Sequence, residues 1–147
     1  MGTAKTFSQF LDYAVTHHPA DNMSLILWGH GDGESVCFDQ QFQYDSLNPR
    51  EIRTALATLD TNVRFDTVAF DACHAATLDM AAALTGRATY MVASKDKLPG
   101  SGLDYSAIDF NQYGRQLAQT IATSLTTSPT TGTNPNMEII GLAVGAV

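Results

Sequence analysis

Short, continuous apolar runs alternate along this chain with stretches of helical periodicity. Residues 25–28, 68–70 and 90–93 are apolar throughout, as expected of strands covered on both faces. A fourth strand is expected over 138–144. Phe7, Phe10, Leu11, Ala14 and Val15 recur at helical spacing before Pro19 stops the pattern. Asn48-Pro49 opens a second helix through Leu59, with Ile52, Leu56 and Leu59 on its inner face. Residues 75–84 are rich in good helix formers and close at Gly86. A long helix is expected over 106–125. Residues 36–38 and 42–47 alternate apolar and polar and read as a hairpin projecting from the sheet.

Strands that alternate with helices in this way predict an α/β fold with a mainly parallel sheet. The expected organisation is one domain over residues 1–147. Residues 127–136, rich in Thr, Pro, Gly and Asn, form a linker before the last strand. Met1-Gly2-Thr3 and the apolar stop at Val147 are read as cut ends, so a piece of a longer chain is expected.

A chain of 147 residues with 44% hydrophobic content can build a core without disulfides. Its two cysteines make a disulfide framework unexpected. The net charge of -7 argues against nucleic acid and anionic membrane surfaces as partners. Residues 1–10 lack the charged start and apolar stretch of a secretory signal. No apolar run approaches the roughly 20 residues of a membrane span.

Ligands of open α/β sheets bind beyond the carboxyl ends of the strands. The run 25–28 leads there into Gly29-His30-Gly31, and the run 68–70 into Asp71-Ala72-Cys73-His74. Two neighbouring strands would so bring an imidazole and a thiol to one edge. Cys73, read as opening the helix 75–84, would meet backbone N–H groups that favour a thiolate and can hold an oxyanion. His30, between glycines, can act as general acid or base. Each residue alone also fits a plainer role: Cys73 as a small core residue, His30 as a loop histidine. The pair carries the inference. Asp71, two residues before Cys73, either lines a pocket beside the thiol, where it can pair with Arg or Lys, or caps the sheet edge. His17-His18 is read as a helix end, His74 as secondary to His30, and Cys37 as packing. No metal site is expected, because the Cys and His residues lack paired ligand spacing. No Gly-x-Ser-x-Gly elbow supports an α/β esterase.

Three segments carry a specific resemblance: residues 10–33 (FLDYAVTHHPADNMSLILWGHGDG), 70–84 (FDACHAATLDMAAAL) and 90–105 (YMVASKDKLPGSGLDY). In order and spacing, from about residue 7 to 125, the chain resembles the clostripain family of cysteine peptidases. These belong to the caspase-like group with legumain, gingipain, separase and the caspases. The resemblance implies a caspase-like α/β/α sandwich, here lacking its first strand. It implies a cysteine endopeptidase with His30 and Cys73 as the catalytic dyad and the N–H groups of Gly31 and Cys73 as oxyanion hole. Asp71, Ser94 and Asp96 are the expected substrate-binding residues, and cleavage after Arg or Lys is the expected specificity. Two features depart from the family. Lys95-Asp96-Lys97 stands where an acidic run is usual, and its lysines oppose a basic preference; His74 stands where an apolar residue is common. The resemblance further implies a peptide or protein substrate, self-cleavage, a secreted or cell-surface location and, in some members, calcium, although nothing in the sequence itself requires a cofactor. The alternative from another class is a noncatalytic caspase-like binding or assembly module.

Overall fold

The computed structural model describes residues 2–105 and the backbone of 139–143. The chain begins with helix α1 (Ala4–His17), whose N-cap Thr3 accepts a hydrogen bond from the Thr6 N–H. Strand β1 (Ser24–Trp28) follows, then strands β2 (Val36–Asp39) and β3 (Asp45–Leu47), joined across a single 3-10 turn at Gln40–Phe42. Helix α2 (Pro49–Ala57), strand β4 (Phe65–Asp71), helix α3 (Leu78–Ala83), strand β5 (Ala88–Ser94) and strand β6 (Ile139–Ala143) complete the described chain. The helix expected over 106–125 and the linker 127–136 lie outside the described residues.

The main sheet runs β1-β4-β5-β6. β1, β4 and β5 are mutually parallel and β6 is antiparallel to β5, so the expected mainly parallel α/β sheet is present. β2 and β3 pair antiparallel in a separate two-stranded sheet, the projecting hairpin. Helix α2 starts where Asn48-Pro49 placed it. The Asn48 side chain accepts from the Arg50 and Glu51 N–H groups at 3.0 and 3.1 Å, and Glu51 accepts from the Asn48 N–H at 3.1 Å. Such a reciprocal cap stabilises a helix start by about 1 kcal/mol.

Alternation along the strands sorts two faces. Leu25 and Leu27 of β1, Val68 and Phe70 of β4, and Met91 and Ala93 of β5 join Phe7, Leu11, Ile52, Leu56, Met80 and Leu84 of the helices in one core. Each fully buried large side chain there contributes about 1.5–3 kcal/mol. On the other face Ala69, Val92 and Leu103 form a second cluster, with Tyr90, Leu98 and Tyr105 packed against it. The segment after β5 therefore folds back over the sheet and reaches the carboxyl end of β4.

One element differs from its expectation in a way that matters for chemistry. The helix expected from Ala75 begins at Leu78, with Thr77 as its N-cap. Residues 75–77 are drawn instead toward the end of β5, where the Ala76 N–H donates to the Ser94 carbonyl at 3.0 Å. Cys73 therefore sits in a turn ahead of the helix and not at its first residues.

Candidate active site

β1 and β4 run in register from Ser24 opposite Thr67 to Trp28 opposite Asp71. The pairing continues one step further, since the Gly29 N–H donates to the Asp71 carbonyl at 3.1 Å. This holds the segment that carries His30 beside the segment that carries Cys73. Gly31 then packs directly on the Cys73 carbonyl, so closely that a β-carbon at position 31 would collide with it. Only a residue without a side chain permits that approach.

His30, Asp71 and Cys73 line one cleft of about 750 Å³, together with Trp28, Cys37 and residues 98–100 and 102. His30 is exposed and Cys73 half-buried. The thiol sulfur accepts the Leu98 N–H at 3.4 Å. The helix expected to open at the thiol has its N-cap four residues later, at Thr77, so the backbone donor beside the sulfur is the Leu98 N–H and not a helix N-terminus. Both cysteines are free thiols.

Gly31 bridges Val36 in antiparallel fashion. The hydrogen bonds of that bridge come from flanking residues: Cys37 N–H to the His30 carbonyl at 3.0 Å and Asp32 N–H to the Ser35 carbonyl at 3.3 Å. In such a non-hydrogen-bonded pair the Gly31 N–H is not used by the ladder. Asp32 supports the same turn by accepting from the Glu34 and Ser35 N–H groups, each at 2.9 Å. The bond from Ser35 is the main reason its carboxyl lies below the ordinary value.

Asp71 is 3% exposed. Its Oδ1 accepts the Leu103 N–H at 3.1 Å and its Oδ2 accepts the Tyr105 hydroxyl at 2.7 Å. Gly102, at φ +70°, turns the chain over this carboxylate; a β-carbon there would lie 2.7 and 2.8 Å from its oxygens. Burial, followed by the hydrogen bond to Asp71 and its charge, pushes the Tyr105 phenol well above its ordinary value. The sequence reading missed that Leu103 and Tyr105 hold Asp71. Nothing local in the sequence signals a bond across 34 positions.

Ser94 is 1% exposed, with its hydroxyl spent in a local turn: it donates to the Asp96 carbonyl at 2.8 Å and accepts the Asp96 N–H at 3.1 Å. Neither Ser94 nor Asp96 is among the cleft-lining residues, and neither Lys95 nor Lys97 is. His74 also stands outside that lining, with its Nδ1 3.0 Å from the Lys95 carbonyl. Cys37, read as packing, does pack against the core and also lines the cleft. Burial pushes its thiol up to about 11. Among the described residues no group of three or more His, Cys, Asp or Glu side chains is placed to hold a metal ion.

The clostripain (C11 peptidase) family model matches residues 1–126. The chain belongs to the clostripain family. Solved structures agree with that membership. An inactive zymogen C11 protease from Parabacteroides distasonis is 26% identical, with a TM-score of 0.67 over 86% of this chain and 36% of that one. A secreted C11 cysteine protease from Bacteroides thetaiotaomicron, in complex with an irreversible peptide inhibitor, is 22% identical, with a TM-score of 0.65 over 83% and 37%. A further structure of a secreted C11 cysteine protease from that organism, called iotapain, has a TM-score of 0.75 at 15% identity over 97% and 45%. These establish the caspase-like fold of the family for this chain. The clostripain-family chain spans less than half the length of each of these proteases. No curated protein matches it at a significant level.

Proposed function

We propose that this chain carries the catalytic centre of a cysteine endopeptidase that cleaves after a basic residue. The observation that supports this most is one cleft lined by His30, Cys73 and the buried Asp71. The Cys73 thiolate attacks the carbonyl carbon and forms a tetrahedral oxyanion. The Gly31 N–H, unused by the neighbouring ladder, and the Cys73 N–H hold that oxygen. Loss of one such donor typically costs about 3–4 kcal/mol. His30 gives a proton to the departing amine as the C–N bond breaks, leaving a thioester on Cys73. It then takes a proton from water as the water attacks the thioester, which releases the acid and restores the Cys73 thiolate beside a protonated His30.

Asp71 serves as the acceptor for an Arg or Lys side chain. Each of its oxygens takes one hydrogen bond from the protein and retains a second lone pair. Lys95 and Lys97 stand outside the cleft lining, which weakens their opposition to a basic preference. Ser94 and Asp96 act on substrate through the loop they brace. The substrate is a peptide or protein, secretion follows the relative described as secreted, and self-cleavage follows the relative described as a zymogen.

The test is fluorophore release from Arg and Lys peptide amides by the wild-type chain and by Cys73→Ala. Release that is lost in the variant, with the fold intact, supports the reading. Equal failure of both proteins on every peptide favours a binding or assembly module.

A further inference from the structure

We propose that His74 is a positioning residue for the Cys73 thiol: its imidazole ties the turn that carries the nucleophile to the loop that delivers an N–H to the sulfur. The proposal rests on the reading of Cys73 as the nucleophile.

Four hydrogen bonds define the arrangement. The His74 N–H donates to the Asp96 carbonyl at 3.2 Å and the Ala76 N–H to the Ser94 carbonyl at 3.0 Å. The His74 ring contributes a bond from Nδ1 to the Lys95 carbonyl at 3.0 Å. The same loop then returns the Leu98 N–H to the Cys73 sulfur at 3.4 Å. Residues 94–98 thus wrap the nucleophile turn, and the ring clasps the loop at its middle, three residues ahead of the amide that faces the thiol. Ser94, bonded to both the N–H and the carbonyl of Asp96, stiffens the base of the loop.

The backbone favours this residue type. His74 has φ +57°, a left-handed conformation that few non-glycine residues adopt, with Asn, Asp and His enriched among those that do. A carbonyl can only accept, so Nδ1 must carry the proton. Gly33 stands opposite, where a β-carbon would lie 3.7 Å from the His74 carbonyl and 3.8 Å from its Cβ. The turn is therefore bounded by the β1 loop on one side and by the β5 loop on the other.

A hydrogen bond to sulfur favours the thiolate over the thiol. Without the ring the loop is held by backbone bonds alone, and the Leu98 N–H drifts from the sulfur. A leucine at position 74 removes the tie and resists the left-handed backbone. An asparagine accepts that backbone and carries an amide N–H able to reach the Lys95 carbonyl.

The experiment compares the chain with His74→Leu and His74→Asn. The rate of Cys73 alkylation by iodoacetamide is measured from pH 5 to 10 by peptide mass spectrometry, with the thermal midpoint of each protein recorded beside it. The expected result is Cys73 alkylation about tenfold slower at pH 7 in His74→Leu, with the midpoint of its pH profile displaced upward. His74→Asn restores most of the rate and the wild-type midpoint. A wild-type profile in His74→Leu overturns the proposal, as does a His74→Asn profile no better than that of His74→Leu. If His74→Leu does not fold, the comparison of His74→Asn with His74→Gly decides, since glycine accepts the backbone and lacks the donor; equal profiles for those two overturn it. Alkylation needs no turnover, so failure of peptide cleavage counts against the peptidase reading and leaves this result legible by itself.

Discussion

Tyr105→Phe removes one hydroxyl and leaves the shape of the ring. That hydroxyl donates to Asp71 Oδ2 at 2.7 Å, a length typical of a charge-assisted O–H···O⁻ bond. A hydrogen bond to a charged group contributes about 1.5–3 kcal/mol. Asp71 keeps the Leu103 N–H at 3.1 Å, and the half-buried ring lets water reach the vacated oxygen. Both facts place the loss at the low end, about 1.5 kcal/mol. For a 147-residue chain that corresponds to a fall in thermal midpoint of about 5 °C. The pH dependence adds a sign. The Tyr105 phenol is raised in the folded state, by burial first and then by Asp71. Its stabilisation is therefore fully present below the ordinary phenol value near 10. It is lost as pH rises beyond that value, because the unfolded phenol ionises while the folded one resists. Scanning calorimetry of both proteins from pH 7 to 11 should show a constant gap up to about pH 10 and a narrowing gap above it. A gap of zero at pH 7, or one that widens above pH 10, refutes the reasoning.

Gly31→Ala should lower kcat/KM about a hundredfold, because the new β-carbon displaces the segment from the Cys73 carbonyl and moves the Gly31 N–H with it; steady-state kinetics checks this. With its thiol near 11, Cys37 is only about one part in a thousand ionised at pH 8, so competitive iodoacetamide labelling should modify Cys73 well before Cys37. Asp66 has a buried Oδ2 without a hydrogen-bond partner and a carboxyl raised by that burial. The cost is absent below the ordinary carboxylate value near 3.9 and grows as pH rises through the raised folded value, so Asp66→Asn should raise the thermal midpoint at pH 7 and change it little at pH 3.

Much of this was legible in the sequence. The apolar runs at 25–28, 68–70 and 90–93 lie within β1, β4 and β5, because strands covered on both faces need no polar alternation. The strand ends at His30 and Cys73 follow from the parallel sheet, which collects carboxyl ends at one edge. What escaped was tertiary. Residues 75–77 have helix-forming composition, yet their backbone is engaged by Ser94 across the sheet edge, and that contact overrides local propensity. Lys95 and Lys97 stand outside the cleft lining, a placement that sequence distance does not show. The bond from Tyr105 to Asp71 joins positions 34 apart, beyond any periodicity.

In the proposed mechanism the imidazole of His30 and the sulfur of Cys73 act on one substrate carbonyl. A peptidyl-arginine chloromethyl ketone, which alkylates a thiol only when docked as a substrate, tests it directly. Intact and peptide mass spectrometry should place a single adduct on Cys73, formed at least about tenfold more slowly in His30→Ala. An adduct on Cys37 at the same rate, or Cys73 labelling indifferent to His30→Ala, contradicts the account.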